Sequence, residues 1–294
     1  MTAAEEGVLL LCCRLGDADC KPLTMPQFRE LGLSVRASDP TGDPMGQLKA
    51  SDLTGLGYSM EQAERIVRLL NREAALRQYI ARGQRQDIHP LTRLSDKYPS
   101  RIRRQLGFSC PPVFFYRGNL ALLEQPTLAV VGSRKLQPEN EAFARQAGQL
   151  AAETGLTLVS GGANGADRAA QEACLDAGGS CVIFTADRLD QHPAHPRVLC
   201  LSADGYDVPF SNYRALSRNA WIHILGDRVI AAQCTYGTGG TWQGCLENLK
   251  HGWSDLFVFD DGSDAANALK ERGAIAISDI ESVDQLKKEQ LSLF

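Results

Sequence analysis

Three glycine-rich stretches hold the residue types that could grip a phosphate. The first is Val131-Gly-Ser-Arg134: Gly132 lets a backbone approach closely, Ser133 offers a hydroxyl, and Arg134 presents a planar, permanently charged fork of donors. The second is Ser160-Gly-Gly-Ala-Asn-Gly-Ala-Asp167, in which Ser160, Gly161, Gly162, Asn164 and Gly165 offer main-chain amides with little side chain over them. The third is Tyr236-Gly-Thr-Gly-Gly-Thr241, where Gly237, Thr238, Gly239, Gly240 and Thr241 combine bare amides with two hydroxyls. Ser217-Arg218-Asn219 adds a second guanidinium and a side-chain amide. None of these is the dinucleotide fingerprint or a Walker A loop, and no nucleophile elbow is present. No Ser–His or Cys–His pairing can be assigned, so no catalytic residue is named. The set reads as one that holds phosphates rather than one that breaks bonds.

The other reactive side chains point to bland roles. Nine cysteines, an odd number, include no C-x-x-C pair, and the five histidines are scattered. Neither a metal site nor a cofactor is expected. The cysteines read as small buried hydrophobes in a reducing compartment, which places the chain in the cytoplasm. Its N-terminus lacks the basic region of a secretory signal, and no apolar run approaches the roughly 20 residues of a membrane span, so no membrane partner is expected.

The elements that must position the loops alternate from residue 127 onward. Short apolar runs at 128–131, 156–159, 180–185, 198–202, 228–232 and 256–259 read as strands, and 139–154, 166–177, 215–225 and 241–250 as helices. Strands alternating with helices of that length predict an α/β fold, a doubly wound and mostly parallel sheet covered on both faces. All three glycine-rich loops then follow strands, and in such sheets ligands bind beyond the carboxyl ends of the strands.

Ahead of the sheet, residues 1–80 read as a small helical domain. Ser59 with Gln62 forms a capping-box pattern, and Ala63, Ile66, Val67 and Leu70 make one apolar stripe. The Leu53-Thr-Gly-Leu-Gly57 turn before it is like half of a helix-hairpin-helix, or simply a turn that lets two helices pack. Residues 81–120 read as a basic connector, 121–282 as the sheet domain and 283–294 as a tail. The chain of 294 residues has 44% hydrophobic and 22% charged residues, as an ordinary globular protein does, and a net charge of −4. From Arg65 to Arg104 there are eleven basic residues against three acids, a local excess of +8 that leaves −12 for the remainder. Such a segment either holds a polyanion or forms a solvated basic face.

Taken together, the connector and sheet resemble the DprA/Smf family. Tyr98-Pro99, Pro112-Val-Phe-Phe-Tyr-Arg-Gly-Asn119, Val130-Val-Gly-Ser-Arg134, the 160–167 loop with Gly178-Gly179, then Phe210, Arg218-Asn219 and the strand after Asp227 carry the resemblance in order. It implies a Rossmann-like core, single-stranded DNA binding at the strand ends, a homodimer formed through the sheet domain, and delivery of RecA onto DNA. It also implies that Arg134 and Arg218 are phosphate ligands, with backbone contacts from Gly132, Ser133, Gly161, Gly162 and Gly165. Departures are Ala166 for the usual isoleucine, Gln171 for a histidine, and Gly237-Thr-Gly-Gly-Thr241 for a serine-rich loop. The winged-helix tail of many members is not seen, and the pathway (transformation, repair or phage defence) stays open.

The chain ends in Gln290, Leu291, Ser292, Leu293 and Phe294, which resemble the pentapeptide that docks bacterial proteins onto the DNA polymerase sliding clamp. A different reading of the sheet is a nucleotide-binding sensor or a phosphoribohydrolase-like enzyme, whose loop runs Gly-Gly-x-Gly-Thr-x-x-Glu. Here Gly244 stands three residues after Thr241, where that pattern needs glutamate.

Overall fold

The computed structural model describes residues 1–38 and 48–286, and the chain divides into two compact units. The smaller comprises Met1–Tyr116 with Ser202–Val208, the larger Arg117–Leu201 with the chain from Pro209 onward.

In the smaller unit five helices come first: α1 (Ala3–Cys12), α2 (Met25–Ser38), α3 (Ala50–Gly55), α4 (Met60–Leu70) and α5 (Glu73–Gln84). The capping box forms as the spacing predicts. Ser59 Oγ accepts from Gln62 N at 3.2 Å and Ser59 N donates back to Gln62 Oε1 at 3.0 Å. Ala63, Ile66 and Leu69 bury one face of α4. The stretch read as a connector holds regular structure: β1 (His89–Thr92) pairs antiparallel with β2 (Val113–Gly118), and α6 (Ser100–Leu106) lies between them in sequence.

Part of the basic excess of this region is engaged inside the unit. Arg72 donates to the carbonyls of Leu10, Cys13 and Arg14, and Arg65 to those of Lys21 and Pro22 at 2.8 and 2.7 Å. Arg82 bonds Tyr206 and Asp207, while Arg68 and Arg77 face Glu64 and Glu73 one turn away. These guanidiniums cap backbone carbonyls and satisfy carboxylates, so formal charge along the sequence overstates what this stretch offers a polyanion.

The larger unit is the expected sheet. Its strands are β3 (Thr127–Val131), β4 (Thr157–Ser160), β5 (Ser180–Phe184), β6 (Val198–Ala203), β7 (Arg228–Ala231), β8 (Asp255–Phe259) and β9 (Ile275–Ile277). The helices are α7 (Pro138–Glu153), α8 (Ala166–Asp176), α9 (Asn212–Leu225), α10 (Gly239–His251) and α11 (Asp264–Glu271). Every strand pair from β6 to β9 is parallel, in the order β6-β5-β4-β3-β7-β8-β9. All residues of β3, β4 and β6 are buried, which suits strands covered on both faces. Eight of the nine cysteines are buried, and Cys20 is partly so.

The winding direction matters most for function. From β3 the chain builds outward through β4, β5 and β6, then returns to lay β7 against the other side of β3. Loops leaving β3 and β7 therefore diverge and open a crevice between them, the switch point where doubly wound sheets bind ligands. Among the described residues no helix is long and apolar enough to cross a membrane.

Candidate functional site

A cleft of about 550 Å³ occupies the switch point. Its walls are the loop after β3 (Gly132, Ser133, Arg134), the loop after β7 with the start of α10 (Thr235, Thr238–Thr241), and one face of α9. On α9 the lining residues Asn212, Ala215, Leu216, Asn219, Ile222 and His223 recur at helical spacing, so a single stripe faces the cleft. A second hollow of about 310 Å³ adjoins it, lined by Gly161, Gly162, Ala163 and Asn164 together with Asp187, His192 and Phe210. Arg134 and Arg218 belong to both.

These two arginines, alike in the sequence, differ in the fold. Arg134 is exposed, and its guanidinium carbon lies 5.5 Å from the centroid of the Phe210 ring, itself 49% exposed. That is a cation–π contact at the lip of both hollows. Arg218, expected as a second phosphate fork, is only 6% exposed. Its Nη1 donates to the Phe184 carbonyl at 3.1 Å and lies 3.8 Å from Asp167 Oδ2. Nε is buried with no hydrogen-bond partner. Burial works against the Arg218 charge and lowers its pKa, while Asp167 opposes that shift. For Asp167 burial raises the pKa, opposed by Arg218 and by two backbone amides.

Those amides belong to the second glycine-rich loop. Asp167 Oδ2 accepts from Gly161 N at 3.1 Å and from Ala163 N at 3.3 Å, so the loop's own carboxylate takes the Gly161 amide expected to await a ligand and the Ala163 amide beside it. Ser160 is fully buried and accepts from Gln171, beneath the cleft rather than in it. Gly165 lines neither hollow. It starts α8 at φ +88°, and a Cβ there would sit 2.1 Å from the Ser133 carbonyl oxygen, so glycine joins the two loops. Ser133 also turns inward: its N–H donates to the Gln233 carbonyl at 2.9 Å and its own carbonyl accepts from Ala166 N. In the third loop Thr238, Gly239, Gly240 and Thr241 line the cleft, Gly237 is exposed beside it, and Asn219 Nδ2 donates to the Gly240 carbonyl at 3.0 Å.

Sequence reasoning missed the aromatic rim. Phe210, Tyr213 at 75% exposure and Tyr236 at 56% leave large rings in solvent around the start of α9 and before α10. Hydropathy alone could not find them, because an exposed ring and a core ring are the same residue type. Asp167 was legible as part of a motif but not as the partner of Arg218.

His223 was missed as well. It is 1% exposed, its Nδ1 has no partner, and burial pushes its pKa down to about 4. The unfolded chain would take up a proton near the ordinary imidazole value of 6.5. Between those values the unfolded state binds more protons, so stability must fall as pH drops through that window. A urea midpoint measured at pH 7 and again near pH 5 should show the decline, approaching about 3 kcal/mol below pH 4. A His223→Leu variant should lose this component of the slope.

A parallel sheet with helices on both faces and a switch-point cleft lined by an exposed guanidinium and hydroxyls defines a Rossmann-like protein. Residues 89–287 match the family model of DNA recombination-mediator protein A, and the chain belongs to that family. The chain is 37% identical over 196 residues to the DNA processing protein DprA of Streptococcus pneumoniae, spanning 62% of this chain and 68% of that protein. The X-ray structure of the S. pneumoniae protein superposes with a TM-score of 0.69 at 24% identity, over 90% of this chain and 99% of that one, and shows a common fold. The Helicobacter pylori DNA processing protein A, described for its single-stranded DNA binding mode, aligns with a TM-score of 0.56 at 25% identity, over 65% and 91%.

Proposed function

We propose that the larger unit binds single-stranded DNA across the switch-point cleft, acting in DNA processing and recombination. The observation that carries this reading is Arg134, exposed at the lip common to both hollows and stacked over the exposed Phe210. A guanidinium that meets a phosphate beside rings that meet bases is the combination single strands need. Tyr213 and Tyr236 extend the stacking surface, and the Thr238 and Thr241 hydroxyls with Gly132, Gly161, Gly162, Asn164 and Asn219 supply the uncharged wall. The H. pylori relative's single-stranded DNA binding supports the same assignment.

Gly244 weighs against hydrolysis. Where the hydrolase loop needs glutamate, a side chain built at this position would lie 2.9 Å from His223 Nε2, so an imidazole fills that space instead of a carboxylate. The protein therefore holds its strand without cleaving a base from it. Within this reading a homodimer forms through the larger unit and RecA is delivered onto the bound strand. Gln290–Phe294, which lie outside the described residues, tether the protein to the sliding clamp.

The test is a fluorescence titration with a labelled single strand, the matching duplex and free nucleotides. The single strand should bind tightest, and its affinity should fall about tenfold for a fourfold rise in salt, as roughly two to three phosphate contacts require. Tighter binding of a free nucleotide than of any strand would favour the sensor reading.

A further inference from the structure

Some of the smaller unit's arginines meet no carboxylate. From Lys97 to Cys110 the chain carries four basic residues and no acid, three of the four on α6. Beside α6, two arginines from other elements meet on one ring. The guanidinium carbon of Arg29, on α2, lies 4.6 Å from the Phe108 centroid, and that of Arg93, just after β1, lies 4.8 Å from it. Arg103 joins them from α6, donating Nη1 to the Arg93 carbonyl at 3.2 Å. The ring remains 40% exposed. Arg29 and Arg104 are exposed, Arg93 and Arg103 half-buried. Salt bridges in this unit engage Arg68, Arg77, Arg82 and His89, and among the described residues none involves Arg29, Arg93, Arg103 or Arg104. Like charges drawn together without an anion repel one another, and a polyanion laid over them relieves that repulsion.

We propose that this arginine cluster is a second nucleic-acid surface, made of residues the switch-point cleft does not use, and that its occupant is the sugar-phosphate backbone of duplex DNA. All of its residues belong to the smaller unit, so the proposal stands apart from the single-strand reading of the larger one. A guanidinium stacked on a ring keeps its edge of N–H donors for a phosphate. Arg29 and Arg104, exposed, offer such edges. Arg93, whose Nη1 is buried without a partner, and the half-buried Arg103 add charge rather than open forks. Phe108 decides between duplex and single strand. Gripping a single strand takes a bare ring on which bases stack, and this ring already holds two guanidiniums. What remains is charge, and a duplex presents one negative charge per roughly 1.7 Å of axis, twice the density of either strand alone. Contacts of this kind fix a backbone in place and carry no sequence information. The exposed acids beside these arginines in the sequence, Glu30 and Asp96, form no ion pair with them.

The experiment titrates the 294-residue chain with a labelled duplex and with a single strand of equal length, by fluorescence anisotropy over a range of salt. The variants are Arg29→Ala with Arg104→Ala, the same pair changed to lysine, and Arg134→Ala. The alanine pair should weaken duplex binding at least about tenfold and make its salt slope shallower by about 1.8, the share of two phosphate contacts. Its urea midpoint should hardly move, because both side chains are exposed. Should the pair fail to fold, Arg104→Ala alone reads half of that slope change. The lysine pair should keep the slope and most of the affinity, since a backbone phosphate asks for charge more than for a planar fork. Arg134→Ala should leave duplex affinity unchanged while single-strand affinity falls. A wild type that binds no duplex at low salt, or a folded alanine pair with full duplex affinity, overturns this surface and leaves the single-strand reading standing. Loss of duplex binding in Arg134→Ala overturns it too, because both forms of DNA would then occupy the cleft. Failure to bind either form overturns both readings.

Discussion

Replacing Arg218 with alanine is expected to destabilise the larger unit by about 3–5 kcal/mol, because it leaves the buried Asp167 carboxylate without its counter-charge. Asp167 is 5% exposed and would keep only the Gly161 and Ala163 amides. The Phe184 carbonyl would lose a donor and a guanidinium-sized void would open under the glycine-rich loop. The melting temperature should fall by roughly 10 °C. Removing both charges with Asp167→Asn and Arg218→Met should cost less than Arg218→Ala alone, since no buried charge is then stranded. An Arg218→Ala protein with unchanged melting but weakened DNA binding would reverse the assignment and make Arg218 a direct phosphate ligand.

Arg134 should behave in the opposite way. Its guanidinium is exposed and stacks on Phe210, so Arg134→Ala should leave the unfolding midpoint within about 0.5 kcal/mol of the wild type. Single-stranded DNA affinity should fall between about ten- and a hundredfold, the worth of one charge-assisted bond to phosphate. The salt slope should become shallower by about 0.7, the contribution of one phosphate contact to a single strand. Arg134→Lys should recover part of the affinity, because lysine keeps the charge but not the planar fork or its stacking face. Unchanged affinity in Arg134→Ala would move the strand away from this cleft. The two arginines thus separate stability from binding, and a double replacement would confound them.

How far the site was legible follows from the range over which each interaction acts. The strand ends at Val131, Ser160 and Ala231 were readable within a residue or so, because short apolar runs, two of them closed by glycine, are local patterns. The parallel sheet followed from strand and helix alternation, and with it came the prediction that the loops after β3, β4 and β7 share one edge. The 81–120 stretch was harder. Its β1 and β2 pair across twenty residues of arginine- and proline-rich chain, and β1 itself contains Pro90, a poor strand former away from an edge.

From the sequence alone came the class of fold, the three loops, the family, and a phosphate-gripping reading of Arg134. Tertiary structure alone decided which polar groups remain available to a ligand. Asp167 takes two amides of its own loop, Arg218 turns inward to a carbonyl 34 residues away, and the His223 Nδ1 is buried without a partner. Residue type sets what a side chain can donate or accept. Its partner and its burial depend on which distant elements the winding of the sheet brings beside it, and no local pattern encodes that.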